Sequence, residues 1–371
     1  MLTILRAAKW LGLFWISRRL TANWVRVLAY HGGWIPDDHR YAGNLFMRPS
    51  TFERRMRHLA RAGFNVISLD AAMKAFSTGA VPRSSVVITI DDGWHSTYDG
   101  MVPVLERYGF PATIYVTTYY AEKQQPVLNV FVHYLMTRSS MSRFRPADVV
   151  PDWRGELEFR LPAEVDIAAS AFVDWIDEHY ALPERMARVR ALAQLLHVDM
   201  EPAIAGRWFH LMNDGEIREA LERGIDIQLH THRHRLKDLD EKAIEREIVD
   251  NRRVLGAATS LPDTHFIHFC YPNGEYRDGL ESIFRRLGVV SGVTAVHGLN
   301  DASIPPLAIR RIFDEERKSQ LQFEAEMAGI FLIPRRLLRA LRARRSQGHD
   351  GVRDVGRGHV SGEDTHYGVT R

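Results

Sequence analysis

One cysteine, Cys270, stands in a chain of 371 residues. A lone thiol excludes an intrachain disulfide and any zinc knuckle built on cysteine pairs, and it fits a reducing compartment. Charge of one sign is not in excess: the formal net charge is +3, which gives no ground for a nucleic-acid partner. No long apolar run marks the N-terminus. Trp10 to Ile16 covers seven residues, whereas a bilayer-spanning helix takes about 20. The run is also too short for the core of a secretory signal, and strand-like sequence already begins at Trp24. Three readings of residues 1–23 stand: a short helical segment packed on the domain, a peripheral membrane contact with Trp10, Phe14 and Trp15 in the interface, or an uncleaved signal. The expected location is cytoplasmic, and membrane-associated under the second reading.

What is present is material for a core. Apolar residues make up 45% of the chain, enough for one large α/β domain with insertions or for two ordinary domains. Short apolar runs alternate with amphipathic stretches. Val25 to Tyr30 reads as a strand. Ser50 and Glu53 form a capping-box pattern that opens a helix through about Ala62. Asn65 to Leu69, Val86 to Ile90 and Ala112 to Val116 read as strands, the second apolar and β-branched as in a strand buried on both faces. A helix over Met101 to Tyr108 falls between the last two. From about 118 to 224 the pattern turns mostly helical, with Pro151, Pro162, Pro183 and Pro202 as punctuation, and reads as an insertion.

The alternation then resumes. It predicts strands over Ile225 to Leu229, Phe266 to Cys270 and Val289 to Ala295. It predicts helices over Glu241 to Leu255, capped by Asp240 and stopped by Gly256, and over Leu280 to Leu287. Repeated β-α units imply a parallel sheet, open or closed into a barrel. Residues 24–320 are thus expected to form one domain and 321–345 to carry a basic amphipathic helix, its periodicity clearest from Phe331 to Arg345. Residues 346–371, rich in Gly, Arg, His and Asp, are expected to be a disordered tail.

Two clusters carry chemistry. Asp91 and Asp92 follow directly on a buried strand, and in a parallel α/β fold the strand C-termini are where active sites are built. Adjacent side chains on an extended segment point in different directions. One carboxylate can therefore hold a metal while the other acts on water, although an Asp-Gly turn would also explain the pair. His230, Thr231, His232, Arg233 and His234 follow another strand. Two imidazoles and one carboxylate make a facial metal site with open positions. His230 and His234 are spaced to meet through one helical turn or a tight loop, leaving His232 a neighbour.

Taken together, Thr89-Ile90-Asp91-Asp92-Gly93 followed by His230-Thr231-x-x-His234 resembles the polysaccharide deacetylase family, with its NodB homology domain (carbohydrate esterase family 4). Phe269 to Gly274 (FCYPNG) resembles the family's third motif. Thr294 to Gly298 with Arg310-Arg311-Ile312 resembles a late strand segment of bacterial members. Leu28-Ala29-Tyr30-His31 resembles the opening of members acting on exopolysaccharides. The resemblance covers roughly residues 24 to 316, apart from the detail of the insertion. It implies a distorted (β/α) barrel of about seven parallel strands. It further implies Asp91 as general base, Asp92, His230 and His234 as ligands of one divalent metal, and a backbone N–H near Tyr271 as oxyanion donor. Tyr271, Pro272, Asn273 and Arg311 are grouped as oxyanion or substrate contacts.

The general acid expected from a late Leu-x-His motif is missing: His349, His359 and His366 lie in the tail. His31 is the first candidate for that role and His297 the second. Cys270 stands where many relatives carry an arginine that orients the catalytic aspartate, and Arg311 is the residue that could replace it. The metal implied is zinc, with cobalt or nickel fitting the same ligands. The substrate implied is an acetylated polysaccharide or its lipid-linked precursor, deacetylated at nitrogen; the oligomeric state is open. The competing readings are a hydrolase of a non-sugar amide on the same scaffold and a catalytically dead saccharide-binding relative.

Overall fold

The computed structural model describes residues 1–36, 45–160, 162–277 and 279–331. Seven parallel strands close into a barrel: β1 (Arg26–Tyr30), β2 (Ser85–Ile90), β3 (Ala112–Val116), β4 (Ile225–Leu229), β5 (His268–Cys270), β6 (Ser291–His297) and β7 (Ile309–Phe313). Consecutive strands are neighbours, and β1 closes the ring. Tyr30 lies opposite Ile90 on one side of it, and Ala29 opposite Phe313 on the other. A two-residue strand, Asn65–Val66, pairs with the start of β2 outside the ring.

Strand side chains alternate, so each strand feeds two cores. Val27, Val87, Tyr115, Cys270, Val293 and Ile309 form an inner apolar cluster with Leu69, Ala72 and Phe76 of helix Leu69–Thr78. That helix therefore closes the barrel at the N-terminal ends of the strands. Leu28, Tyr30, Ile88, Ile90, Ile114 and Phe269 belong to the outer cluster under the surrounding helices. Every residue of β2 is buried, as its β-branched composition predicts. The parity of β2 carries past its end: Val87 and Thr89 point inward, and Asp91 follows at the open mouth.

Several local expectations are corrected. Helix Pro49–Arg61 has Arg48 as its N-cap and no side-chain cap. Proline at the first turn starts it, and Glu316 does the capping from outside, accepting from the Arg48 amide at 3.0 Å and from Thr51 Oγ1 at 3.1 Å. Glu53 pairs instead with Arg107 at 3.1 Å. Asn65 to Leu69 is a strand for two residues, and Leu69 opens the next helix, capped by Ser68. Helix Glu241–Thr259 runs through Gly256 and ends at Ser260, in the left-handed region at φ 61°. A Cβ at Gly256 would sit 3.4 Å from Leu261 O, so the glycine admits the returning chain.

Between β3 and β4 the chain makes the helical excursion expected from the sequence, including helices Leu128–Arg138, Pro162–His179 and Leu182–Leu195. Two short antiparallel strands, Arg143–Phe144 and Leu157–Glu158, add to it. Its end returns to the open mouth: Trp94 bridges to Leu211, and the Met212 amide donates to Gly93 O at 2.8 Å. The N-terminus forms helices Leu2–Trp10 and Leu13–Leu20, joined at Gly12 with φ 74°. The helix expected from Phe331 to Arg345 and the tail from 346 lie outside the described residues.

Candidate active site

The turn after β2 separates the two aspartates. Asp91 continues the inward alternation and is 3% exposed. Asp92 and Gly93 both take left-handed backbone, at φ 70° and 81°, a region aspartate tolerates better than most side chains. A Cβ at Gly93 would lie 3.0 Å from Val116 Cγ2, so glycine is required by conformation and by space. The turn swings Asp92 away from Asp91 and toward the histidine loop after β4.

That loop is irregular rather than helical, with Thr231 at φ 64° and His234 at φ 55°. His230 follows the inward side of β4. Its Nε2 lies 3.2 Å from Asp92 Oδ1, and His234 Nε2 lies 3.4 Å from the same oxygen. His230 donates from Nδ1 to Cys270 O at 2.8 Å, which leaves Nε2 as the nitrogen that faces Asp92. Asp92 Oδ2 accepts from the indole N–H of Trp94 at 2.8 Å. Two ring nitrogens thus converge on one carboxylate oxygen, the ligand set a divalent cation fits. Asp92, His230 and His234 are one of two candidate ligand groups among the described residues. The other, Asp91, His230 and Cys270, is the poorer: burial pushes the Cys270 thiol up, and Arg311 already lies 3.4 Å from its sulfur.

Asp91 is held from β7. Arg311 follows the inward Ile309 by one alternation and crosses the barrel. Its Nη1 donates to Asp91 Oδ1 at 2.7 Å, its Nε to Thr294 O at 3.0 Å, and its Nη2 to Cys270 Sγ. Burial pushes the Asp91 carboxyl up, but the charge and hydrogen bond of Arg311, with His31 and His230 behind, hold it below the usual carboxylate value. For Asp92, burial is likewise outweighed, by the His230 hydrogen bond and the charges of His234 and His31, and its carboxyl stays far below the usual range. His234 is pulled down by burial and by the charge of His230. His230 is itself pushed up, because Cys270 and Asp92 outweigh its burial.

His31, directly after β1, stacks on Phe313 with ring centroids 6.5 Å apart and puts Nε2 3.9 Å from Asp91 Oδ2. His297 points elsewhere: its Nε2 is 2.8 Å from Glu326 of helix Gln320–Ala328, outside the barrel. His232 binds Thr118 Oγ1 through Nδ1 at 2.9 Å and stands edge-on to Tyr119. In the third motif the Tyr271 ring faces the outer layer, edge-on to Phe269, with its hydroxyl donating to Leu307 O at 3.0 Å. The Tyr271 amide donates to Val293 O, and Pro272 has no N–H and is buried. The exposed Asn273, at φ 53°, is the residue of this segment whose amide meets no acceptor among the described residues.

Two positioning residues were not singled out from the sequence. Trp94 orients Asp92, as above. Asn251 of helix Glu241–Thr259 accepts from the His230 amide at 3.0 Å and donates to Val116 O at 3.0 Å and Thr118 Oγ1 at 2.9 Å. It thereby ties the histidine loop to the end of β3. Helical spacing marks Asn251 merely as a polar residue on a buried face, with no sign of its partners.

A profile of the polysaccharide deacetylase family matches residues 78–142 and 176–292. No curated protein matches the sequence. Among solved structures, the deacetylase PplD of Streptococcus pyogenes, solved with acetate, is 18% identical, with a TM-score of 0.55 over 83% of this chain and 99% of that one. A de-N-acetylase from Aggregatibacter actinomycetemcomitans is 13% identical (TM-score 0.51, 82% and 99% covered). IcaB of Ammonifex degensii is 16% identical (TM-score 0.50, 82% and 97% covered). At such identities the likeness speaks for the fold. The aspartate pair and the histidine loop both fall inside the stretches matched by the family profile, and the chain belongs to the polysaccharide deacetylase family of hydrolases.

Proposed function

We propose that this protein removes N-acetyl groups from an amino-sugar polysaccharide, with Asp92, His230 and His234 holding one divalent cation, zinc by the chemistry of the ligands. The observation that carries the reading is the convergence of His230 Nε2 and His234 Nε2 on one oxygen of Asp92, beside a separately held Asp91. The bound cation would supply a Lewis acid that polarises the acetyl carbonyl and acidifies water. Asp91, ionised and fixed by Arg311 through Oδ1, takes the proton of the attacking water on Oδ2, the oxygen that faces His31. The new C–O bond forms first and leaves a tetrahedral oxyanion, and the C–N bond breaks as that oxyanion collapses back to a carbonyl. An amide nitrogen leaves poorly without a proton, and His31 supplies it. The Asn273 amide is the backbone donor available to the oxyanion.

Arg311 takes the place of the orienting arginine that many relatives carry at the Cys270 position. Its approach from β7 needs the small side chain at 270. Family membership and the Aggregatibacter de-N-acetylase support an N-acetylated polysaccharide as the substrate class; an exopolysaccharide or its lipid-linked precursor is the substrate proposed within it. The test is acetate release from short β-linked N-acetylglucosamine oligomers, before and after chelation and after zinc is restored. Release that chelation stops and zinc restores is expected. Acetate release unaffected by chelation would overturn the metal assignment, and turnover of small amides alone would move the substrate away from sugars.

A further inference from the structure

The two N-terminal helices leave most of their apolar side chains in solvent. Trp10 is 86% exposed, Ile4 73% and Trp15 60%, with Leu11, Ile16 and Leu20 exposed beside them. Leu5 and Ser17 are the buried positions, and Arg18 fastens the second helix to Ala62 O, Gly63 O and Ser84 Oγ. Single exposed apolar residues are ordinary, whereas a contiguous set on a folded element marks a contact surface. The charges here are of one sign. Arg6, Lys9, Arg18 and Arg19 lie on the pair, and the first acidic residue of the chain is Asp37; Lys9 pairs with Glu324 of helix Gln320–Ala328 and Arg18 with the barrel, which leaves Arg6 and Arg19 to face outward. The Arg19 guanidinium sits 4.1 Å over the Trp15 ring, so cation and indole share one stretch of surface.

We propose that helices Leu2–Trp10 and Leu13–Leu20 dock the protein on an anionic lipid bilayer, with Trp10 and Trp15 at the headgroup level and the cations against lipid phosphates. The helices lie on the surface rather than cross it: none among the described residues is long and apolar enough to span a membrane. Charge argues for lipid over a second copy of the chain. A two-fold contact through this face would set Arg6 and Arg19 against their own copies with no carboxylate in the segment to meet them. Ser84, one anchor of the second helix, precedes β2, whereas Asp91 follows it, about 20 Å away by strand geometry. The dock thus sits toward the closed end of the barrel, and the mouth with the aspartates faces away from it.

Flotation of the full chain with phosphatidylcholine vesicles, with and without phosphatidylglycerol, tests this. The protein should float with the anionic vesicles and stay behind with the neutral ones. Trp10→Ala with Trp15→Ala should lower the bound fraction about tenfold, and Arg6→Gln with Arg19→Gln should remove the preference for phosphatidylglycerol. Circular dichroism and the melting temperature should stay at wild-type values in both, because the side chains are exposed. Equal flotation of wild type and the tryptophan variant would overturn the proposal. So would a dimer in sedimentation velocity that the tryptophan variant dissolves, which would give this face to a second copy.

Discussion

At the closed end of the barrel, His268 uses both ring nitrogens. Nε2 donates to Asp70 Oδ1 at 2.9 Å and Nδ1 accepts from Ser291 Oγ at 2.7 Å. The residue types are those of a hydrolytic triad, yet Ser291 is fully buried and Asp70 lies in solvent, so no substrate reaches the hydroxyl. The arrangement ties the plugging helix to β5 and β6. At the open end, His230 spends one nitrogen on a carbonyl and turns the other, together with His234, toward a single carboxylate oxygen. The difference is saturation. A polar set whose donors and acceptors are all matched holds a fold together, whereas one whose lone pairs converge requires a cation from outside.

Substitutions at the two ends should separate accordingly. His234→Ala should cost the bound metal and bring acetate release below detection, a loss of at least about 10⁴-fold if the cation supplies most of the rate. His268→Ala should leave kcat within about twofold and lower stability by about 1–3 kcal/mol, because it leaves the buried Ser291 hydroxyl unmatched; denaturant unfolding reads the second effect. Asp91→Asn, next in size, should keep the metal and lower kcat by about 10² to 10⁴. An Asp91→Asn protein of wild-type rate would remove the base from the scheme.

Arg311→Met leaves the buried Asp91 charge unpaired. It should cost about 3 kcal/mol in stability, lower kcat, and shift the acidic limb of the rate profile upward, because the carboxyl loses the charge that holds it low. Asp91→Asn combined with Arg311→Met should regain part of that stability. Trp94→Phe is gentler: it removes one hydrogen bond to Asp92 Oδ2 and should weaken metal affinity about 10-fold, read by competition with a chromophoric chelator.

Acid acts on a pair outside both ends. Burial alone would raise Glu216, but His95, Arg207 and the Asn213 amide hold it down at about 2, and burial followed by the charge of Arg207 pulls His210 down to about 4. Both values are depressed in the folded state, so both groups contribute stability near neutrality that is lost as the pH falls. His210 gives it up from its ordinary value of about 6.5 to 4 and Glu216 from about 4.5 to 2. Unfolding between pH 7 and 3 should show a loss of about 3–5 kcal/mol from the two groups together, diminished in Glu216→Gln.

Much of this was legible in the chain. The β-branched run ending at Ile90 and the three histidines after Leu229 announce their strands, and strand ends on one face of a barrel bring them together. The expected seven-stranded parallel barrel is what the structure contains. Arg311 was legible in part: alternation from Ile309 turns it inward, but its match to Asp91 depends on the register of β7 against β1 and β2. Trp94 was not, since its contact exists only because Asp92 and Gly93 take left-handed backbone. Asn251 was hidden by distance along the chain. The capping pattern at Ser50 failed because a neighbouring loop supplies Glu316, and the stop at Gly256 failed because that glycine serves a close approach. His297 was a sound candidate by position, yet Glu326 draws it outside the barrel.

The most direct test of the contrast between the two ends is the divalent metal bound per chain, by elemental analysis, in wild type, Asp91→Asn, His234→Ala and His268→Ala. One equivalent in wild type, Asp91→Asn and His268→Ala, with none in His234→Ala, is the predicted result. A full equivalent in His234→Ala, or none in wild type purified and reconstituted with zinc, would contradict the assignment of the open end as the metal site.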